Sequence, residues 1–238
     1  MRREPHRHRR LAGFPLNQSS LGGGQTPSMG LRTFVESYGR PFSAELGIDL
    51  KSGKKDEVAK WFLASILYSK PIRESSATTT YQAFEAEEVL SPSRIVETGW
   101  DGLVWILDEG GYTRYDFSTA TKLLEVFGNL LKLYGGDLNR LHSVAKDSED
   151  LDVRLTKLGK GIGPTTVSIF LREMRYAWPK ADPEPAPLVK LAMNELGIRD
   201  LKQLARKKHL DLVRLETALL RLGKDFIRKG KQAGVRLD

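Results

Sequence analysis

From about residue 30 onward, apolar residues recur at the spacing of an α-helix, and the period-two alternation of a half-buried strand is hard to find over any useful length. Val58, Trp61, Phe62, Leu63, Ile66 and Leu67 fall on nearly every side of one helix. A helix that is apolar all round belongs at the centre of a domain. Leu123, Phe127, Leu130 and Tyr134 form a one-sided stripe that Gly135-Gly136 ends. Val167, Phe170, Leu171 and Met174 repeat at three, four and seven, and Leu212, Leu215, Leu219, Leu222 and Phe226 line the last helical stretch. Ser91-Pro92 reads as a helix start, with Ser as the cap and Pro at the first helical position. Asp101 and Asp116 are expected to cap the next two helices. The stripes predict an all-α chain in which these residues are core.

Residues 1–29 break from this pattern. Arg2, Arg3, Arg7, Arg9 and Arg10 crowd the start, and Gly22-Gly23-Gly24 and Pro27 follow, so the segment is expected to be a disordered basic arm. A plain solvated tail, a misassigned start codon and an arginine-rich transit peptide are the competing readings. The whole chain has 238 residues, 40% of them apolar, enough for one large domain or two modest lobes with a proper core. Its formal charge of +8 makes a polyanion a fitting partner, although charge alone is weak evidence. The absence of cysteine excludes disulfides, thiolate metal sites, iron–sulfur clusters and cysteine nucleophiles. His6, His8, His142 and His209 are scattered without metal-ligand spacing, so neither a metal nor any other cofactor is expected. No apolar run has the length needed to span a bilayer, and no membrane partner is expected.

The most informative stretch runs from Asp152 to Met174. A helical segment is expected to end at Leu158, and Gly159, Gly161 and Gly163 then fall at alternate positions. Glycines allow the positive φ angles and close backbone approach of a tight turn. Pro164 suits the first position of the following helix, where a missing N–H costs nothing. Unpaired N–H groups at that helix start, together with the helix dipole, form a site for a phosphate, and Lys160 adds positive charge on the same turn. Contacts of this kind hold a DNA backbone without reading its sequence. An ordinary tight connection between two helices is the bland alternative.

Leu158-Gly159-Lys160-Gly161-Ile162-Gly163-Pro164 between two helices resembles the helix-hairpin-helix of the endonuclease III superfamily of DNA glycosylases. The resemblance extends upstream to Phe62–Ser69, similar to the family's buried first helix of the six-helix lobe, and downstream to Leu188–Gly197 and Leu215–Phe226, similar to the helix after the catalytic acid and to the terminal helix. It implies a two-lobed fold over residues 30–238, with a six-helix lobe at about 53–163 and a second lobe from about 30–52 plus 164–238. It also implies double-stranded DNA, damaged or mismatched, as partner to a monomeric protein, held by Gly159, Lys160, Gly161, Ile162, Gly163 and Thr165. A prokaryotic source would put it in the cytoplasm with the nucleoid, a eukaryotic one in the nucleus or an organelle.

Three departures from the family pattern matter. The lysine that strand-cleaving members carry just after the hairpin glycines falls here on Thr165, which has no amine for a Schiff base. The family's aspartate falls on Pro185 in a gapless match, whereas counting forward from the hairpin lands near Asp182 or Glu184. Asp182 is favoured as the catalytic acid with Glu184 close behind, and both also read as plain loop acids. The four-cysteine iron–sulfur loop of many relatives is missing, and the tail Arg228-Lys229-Gly230-Lys231 is basic instead. The resemblance therefore implies a base-excision repair protein, a monofunctional glycosylase that removes a damaged or mismatched base without AP-lyase activity. A catalytically silent DNA-binding module is the alternative. A helical protein whose hairpin meets another protein or RNA is a third.

Overall fold

The computed structural model describes residues 29–230 and 234–237; of the expected basic arm at 1–29, all but Met29 lies outside these. Among the described residues the chain folds into twelve α-helices: α1 (Leu31–Tyr38), α2 (Phe42–Glu45), α3 (Lys55–Tyr68), α4 (Glu74–Ala86), α5 (Pro92–Glu109), α6 (Asp116–Tyr134), α7 (Leu138–Val144), α8 (Ser148–Thr156), α9 (Pro164–Met174), α10 (Pro187–Glu195), α11 (Leu201–Lys208) and α12 (Leu212–Asp225). Short 3-10 turns cover Leu50–Ser52 and Ile227–Lys229. The only sheet among the described residues is a two-residue parallel pair, β1 (Met29–Gly30) against β2 (Val235–Arg236). The all-α reading holds. No helix among the described residues is long and apolar enough to cross a membrane.

α3 lies at the centre, as its all-round apolar pattern requires: Val58, Ala59 and the run Trp61 to Leu67 are all buried. Phe62 meets Phe127 of α6 at 5.9 Å and Phe170 of α9 at 5.0 Å, both edge-on. The Trp61 indole donates to the Phe170 carbonyl at 3.1 Å, so its polar atom is satisfied inside the core. This first cluster runs from Phe42 to Ala181. A second cluster joins α1, α10, α11 and α12 through residues such as Phe34, Val189, Ala192, Leu201, Leu215 and Leu219. Val167, Phe170, Leu171 and Met174 of α9, and Phe42, Ile48 and Leu50, pack into the first cluster, because α3 is apolar on every side and needs a neighbour on each.

Charged side chains tie the clusters together. The Arg221 guanidinium of α12 donates to the carbonyls of Tyr38 and Arg40 at 2.6 and 2.9 Å and to Glu45 at 2.7 Å. Its Cζ lies over the Phe42 ring, 4.7 Å from the ring centre. The buried Glu173 carboxylate accepts the Phe42 and Ser43 amides at 3.0 and 2.9 Å, which ties α2 to α9. Arg175, just past α9, pairs with buried Glu216 of α12 and donates to the Pro183 carbonyl at 2.7 Å.

Helix boundaries follow local chemistry. Ser91 caps α5 as expected, its hydroxyl accepting the Arg94 amide at 3.3 Å. α5 is two helices joined at Gly99, whose φ of 69° and ψ of 177° are not helical; Asp101 lies two residues beyond this break, in the first turn of the second part. Asp116 is the first residue of α6 rather than its cap, with its carboxylate on the Phe117 amide at 2.6 Å. Asp137, Asp147, Asp200 and Asp211 are the aspartate caps the pattern did not single out.

α10 and α12 approach so closely at Gly223 that a Cβ there would sit 2.1 Å from the Leu188 carbonyl oxygen. Gly223→Ala is therefore expected to lower stability by roughly 1–3 kcal/mol through overpacking. Gly128, inside α6 with open space around it, should behave oppositely: Gly128→Ala is expected to raise stability by up to about 1 kcal/mol. Urea unfolding of the two variants checks both signs, and an unchanged midpoint for Gly223→Ala would contradict the close approach.

Candidate nucleic-acid interface

α8 ends at Thr156, two residues before the expected Leu158, and the chain turns through residues 157–163 into α9. The three glycines serve three different ends. A Cβ on Gly159 would lie 2.6 Å from the Val126 side chain, so Gly159 lets the turn press onto α6. Gly161 has φ of 91°, a left-handed backbone that side chains disfavour. Gly163 is extended at φ −108° and ψ −177°, caps α9, and has nothing within 4 Å of where its side chain would start. Ile162 is buried and anchors the turn in the core; Lys160, Gly161, Pro164 and Thr165 are exposed.

The backbone donors divide accordingly. The Lys160 amide donates to the Glu125 carboxylate at 3.0 Å, and the Ile162 amide to the Gly159 carbonyl at 3.1 Å. The amides of Gly161, Gly163, Thr165 and Thr166 have no hydrogen-bond acceptor among the described residues. The last two belong to the first turn of α9, where donors lack a partner within the helix. Partial positive charge is concentrated there by the helix dipole.

A lysine lies directly beneath this turn. Lys122 of α6 donates to the Gly161 carbonyl at 3.0 Å and is only 8% exposed. A Cβ on Gly161 would fall 2.8 Å from its Cε and 3.1 Å from its Nζ. Burial, and next the ammonium of Lys70, push the Lys122 amine down to about 8. Lys70 in turn lies 5.3 Å from the Tyr115 ring centre, and Arg114 lies 5.6 Å from the same ring. Lys122 sits inside the buried face of the Leu123 stripe, and a lysine at such a position is the signal in the sequence that could have singled it out. Arg172 and Glu173 interrupt the α9 stripe in the same way.

The two candidate acids lie elsewhere. Asp182 occupies the loop between α9 and α10, 46% exposed, with one oxygen 2.5 Å from Lys202 Nζ and the other 4.0 Å from Arg175 Nε. Glu184 is 88% exposed and pairs with Lys190 at 3.2 Å. It borders an open groove of about 910 Å³ that Lys190, Arg199 and Lys202 also line. Arg175, which Asp182 faces, follows the C-terminal end of α9, whereas the turn precedes its N-terminus. Eleven residues of helix separate the two, a span of about 16 Å. The structure brings Lys122 to the glycine turn and brings neither Asp182 nor Glu184 there. Comparison with protein-family models, with curated proteins and with solved structures finds no match to this chain.

The lowered amine makes a pH-dependent expectation. Below pH about 8 the folded protein carries the cost of burying the Lys122 ammonium. That cost is relieved as the pH climbs from about 8 toward the ordinary lysine value of 10.5, so stability due to this position rises over that window. Lys122→Met has no charge to bury. Its melting temperature should exceed the parent's at neutral pH, and the gap should close above pH 10.5; a constant gap would contradict the assignment.

Proposed function

We propose that this protein grips the sugar–phosphate backbone of double-stranded DNA with the turn at residues 157–163 and the start of α9, as a repair protein of the DNA glycosylase type that its sequence resembles. The observation that carries the reading is the set of amides at Gly161, Gly163, Thr165 and Thr166 without acceptors, next to the exposed Lys160. Adjacent N–H groups at a helix start, with a cation beside them, are complementary to a phosphate oxygen. The open space at Gly163 supports it, since a phosphate must approach the backbone there at hydrogen-bond distance. Gly159 and Ile162 serve by shaping the turn rather than by touching DNA.

In the catalytic form of this reading, Asp182 or Glu184 stabilises the positive charge that develops on the sugar as a flipped base departs. The silent DNA-binding form draws on one observation: Asp182 already faces Arg175 and Lys202. A carboxylate held by two cations has less negative potential to offer a developing cation.

Gly163→Val is the direct test of the grip. Its backbone is already extended and its surroundings are open, so the fold should persist with at most about 1 kcal/mol lost at the helix cap. Affinity for duplex DNA, by fluorescence anisotropy, should fall at least about tenfold, a change of roughly 1.4 kcal/mol. Lys160→Ala should weaken all sequences alike and make the salt dependence shallower by about one unit. A folded Gly163→Val protein that binds as tightly as the parent would remove the turn from the interface.

For the chemistry, labelled duplexes with different lesions, incubated with protein and then treated with hot alkali, report base release. In the catalytic form, Asp182→Asn should cost on the order of a hundredfold in rate while leaving DNA affinity intact, and Glu184→Gln should cost less. No base release from any lesion would leave the silent form.

A further inference from the structure

We propose that the exposed aromatic face where α5 meets α6 is a docking site for the arginine-rich N-terminal segment of the same chain, residues 2–16. The chain has four tryptophans. Trp61 and Trp178 are buried, whereas Trp100 and Trp105 are 40% and 53% exposed, and Phe117, against Trp100, is 60% exposed. The Trp100 and Phe117 ring centres lie 5.3 Å apart, and the Trp100 indole donates to the Thr121 hydroxyl at 3.1 Å, so an exposed ring is held in one place. Large apolar groups clustered in water mark a contact surface. The charge around them is unlike that of the rest of the chain. Between Ile95 and Phe117 five acids, Glu97, Asp101, Asp108, Glu109 and Asp116, stand against one base, Arg114, in a protein of net charge +8. Glu97 pairs with Arg94 and Asp116 holds the Phe117 amide, but Asp101, Asp108 and Glu109 have no ion pair among the described residues. At about 100° of rotation per residue, Asp101 and Asp108 fall between Trp100 and Trp105 around α5.

Acids among the rings oppose a nucleic acid, whose phosphates would meet carboxylates, and suit a cationic chain with apolar anchors. Residues 1–28, which precede the described structure, have that composition. Their strong bases are all arginine, Arg2, Arg3, Arg7, Arg9 and Arg10, against the one acid Glu4, and Leu11, Phe14 and Leu16 follow directly. Guanidinium groups fit this face better than ammonium groups, because they stack on aromatic rings and pair with carboxylates in the fork geometry. Length permits the contact within one molecule. The described chain begins at Met29, in β1. The stretch from Phe14 to Met29 spans up to about 50 Å when extended. A folded body of roughly 200 residues measures about 40 Å across. Docked on the aromatic face, the arginines are withheld from any other polyanion.

The test reads quenching of tryptophan fluorescence by acrylamide, a neutral probe, in the full-length protein, where Trp61 and Trp178 are already shielded by the core. In low salt the parent should resist quenching. At about 1 M salt, where the Debye length is only about 3 Å, quenching should rise at least about twofold. Arg7→Glu with Arg9→Glu and Arg10→Glu, or Asp101→Lys with Asp108→Lys, should each reach the high-salt value already in low salt. The two sets combined exchange the signs on both sides and should restore the resistance, which a mere loss of folding would not. Identical quenching in the parent and all variants at both salts overturns the proposal. So does resistance that disappears on dilution, which would assign the face to a second copy's segment. In the arginine variant, whose rings are open, a fall in quenching on adding duplex DNA would put nucleic acid on the rings and likewise overturn the docking.

Discussion

The contact between α9 and α3 is the constraint on which the other features depend. Phe170 packs edge-on against Phe62, and the Trp61 indole closes on the Phe170 carbonyl. These are fully buried groups, so displacing them would forfeit both apolar burial and a satisfied polar atom. With its middle fixed in this way, α9 has both ends determined. Its N-terminus emerges at the glycine turn over α6, and its C-terminus delivers Arg172, Glu173 and Arg175 to the boundary with the second cluster. One helix thus sets the orientation of the acceptor-free amides at its start and the seating of the second cluster.

That seating is electrostatic as well as apolar. Glu173 is fully buried, yet it accepts two backbone amides at the start of α2 and lies 3.4 Å from Arg172. Burial pushes the Glu216 carboxyl up, and the Arg175 guanidinium beside it pulls the other way. Arg221 reaches Glu45 and two carbonyls at once, and stacks on Phe42. Buried charges are costly unless paired and hydrogen-bonded, so such groups add more to a unique arrangement than to net stability. They hold α12 in one relation to α2 and α9, which a purely apolar seam, tolerant of sliding, would specify less well.

The same economy explains the chemistry at the turn. Gly159 brings the turn against Val126 of α6, Gly161 accepts the left-handed backbone, and the Lys122 side chain occupies the space that a Gly161 side chain would need. Lys122 is buried because the turn covers it, and the turn is positively polarised because α9 begins there. The acids Asp182 and Glu184 belong to a different region, the proline-rich loop that Arg175 ties to α12. Their cationic neighbours come from α9's end, α10 and α11.

By itself the sequence determined the local elements. The apolar spacing marked α3, α6, α9 and α12, Ser91-Pro92 marked the start of α5, and the glycines with Pro164 marked a tight turn into α9. Those features depend on helical periodicity, capping and backbone freedom, which are properties of short stretches of chain. Tertiary structure decided which helices share a core, and so put α9 with Phe42, Ile48 and Leu50 in the first cluster. It also decided that Ile162 is an anchor and that Asp182 and Glu184 pair with Lys202 and Lys190 rather than with residues of the turn. Lys122 and Gly161 are 39 positions apart, and no spacing rule links them. Their contact exists only because α6 and α9 both pack on α3, and burial by distant chain segments is what turns an ordinary lysine into a poorly solvated amine.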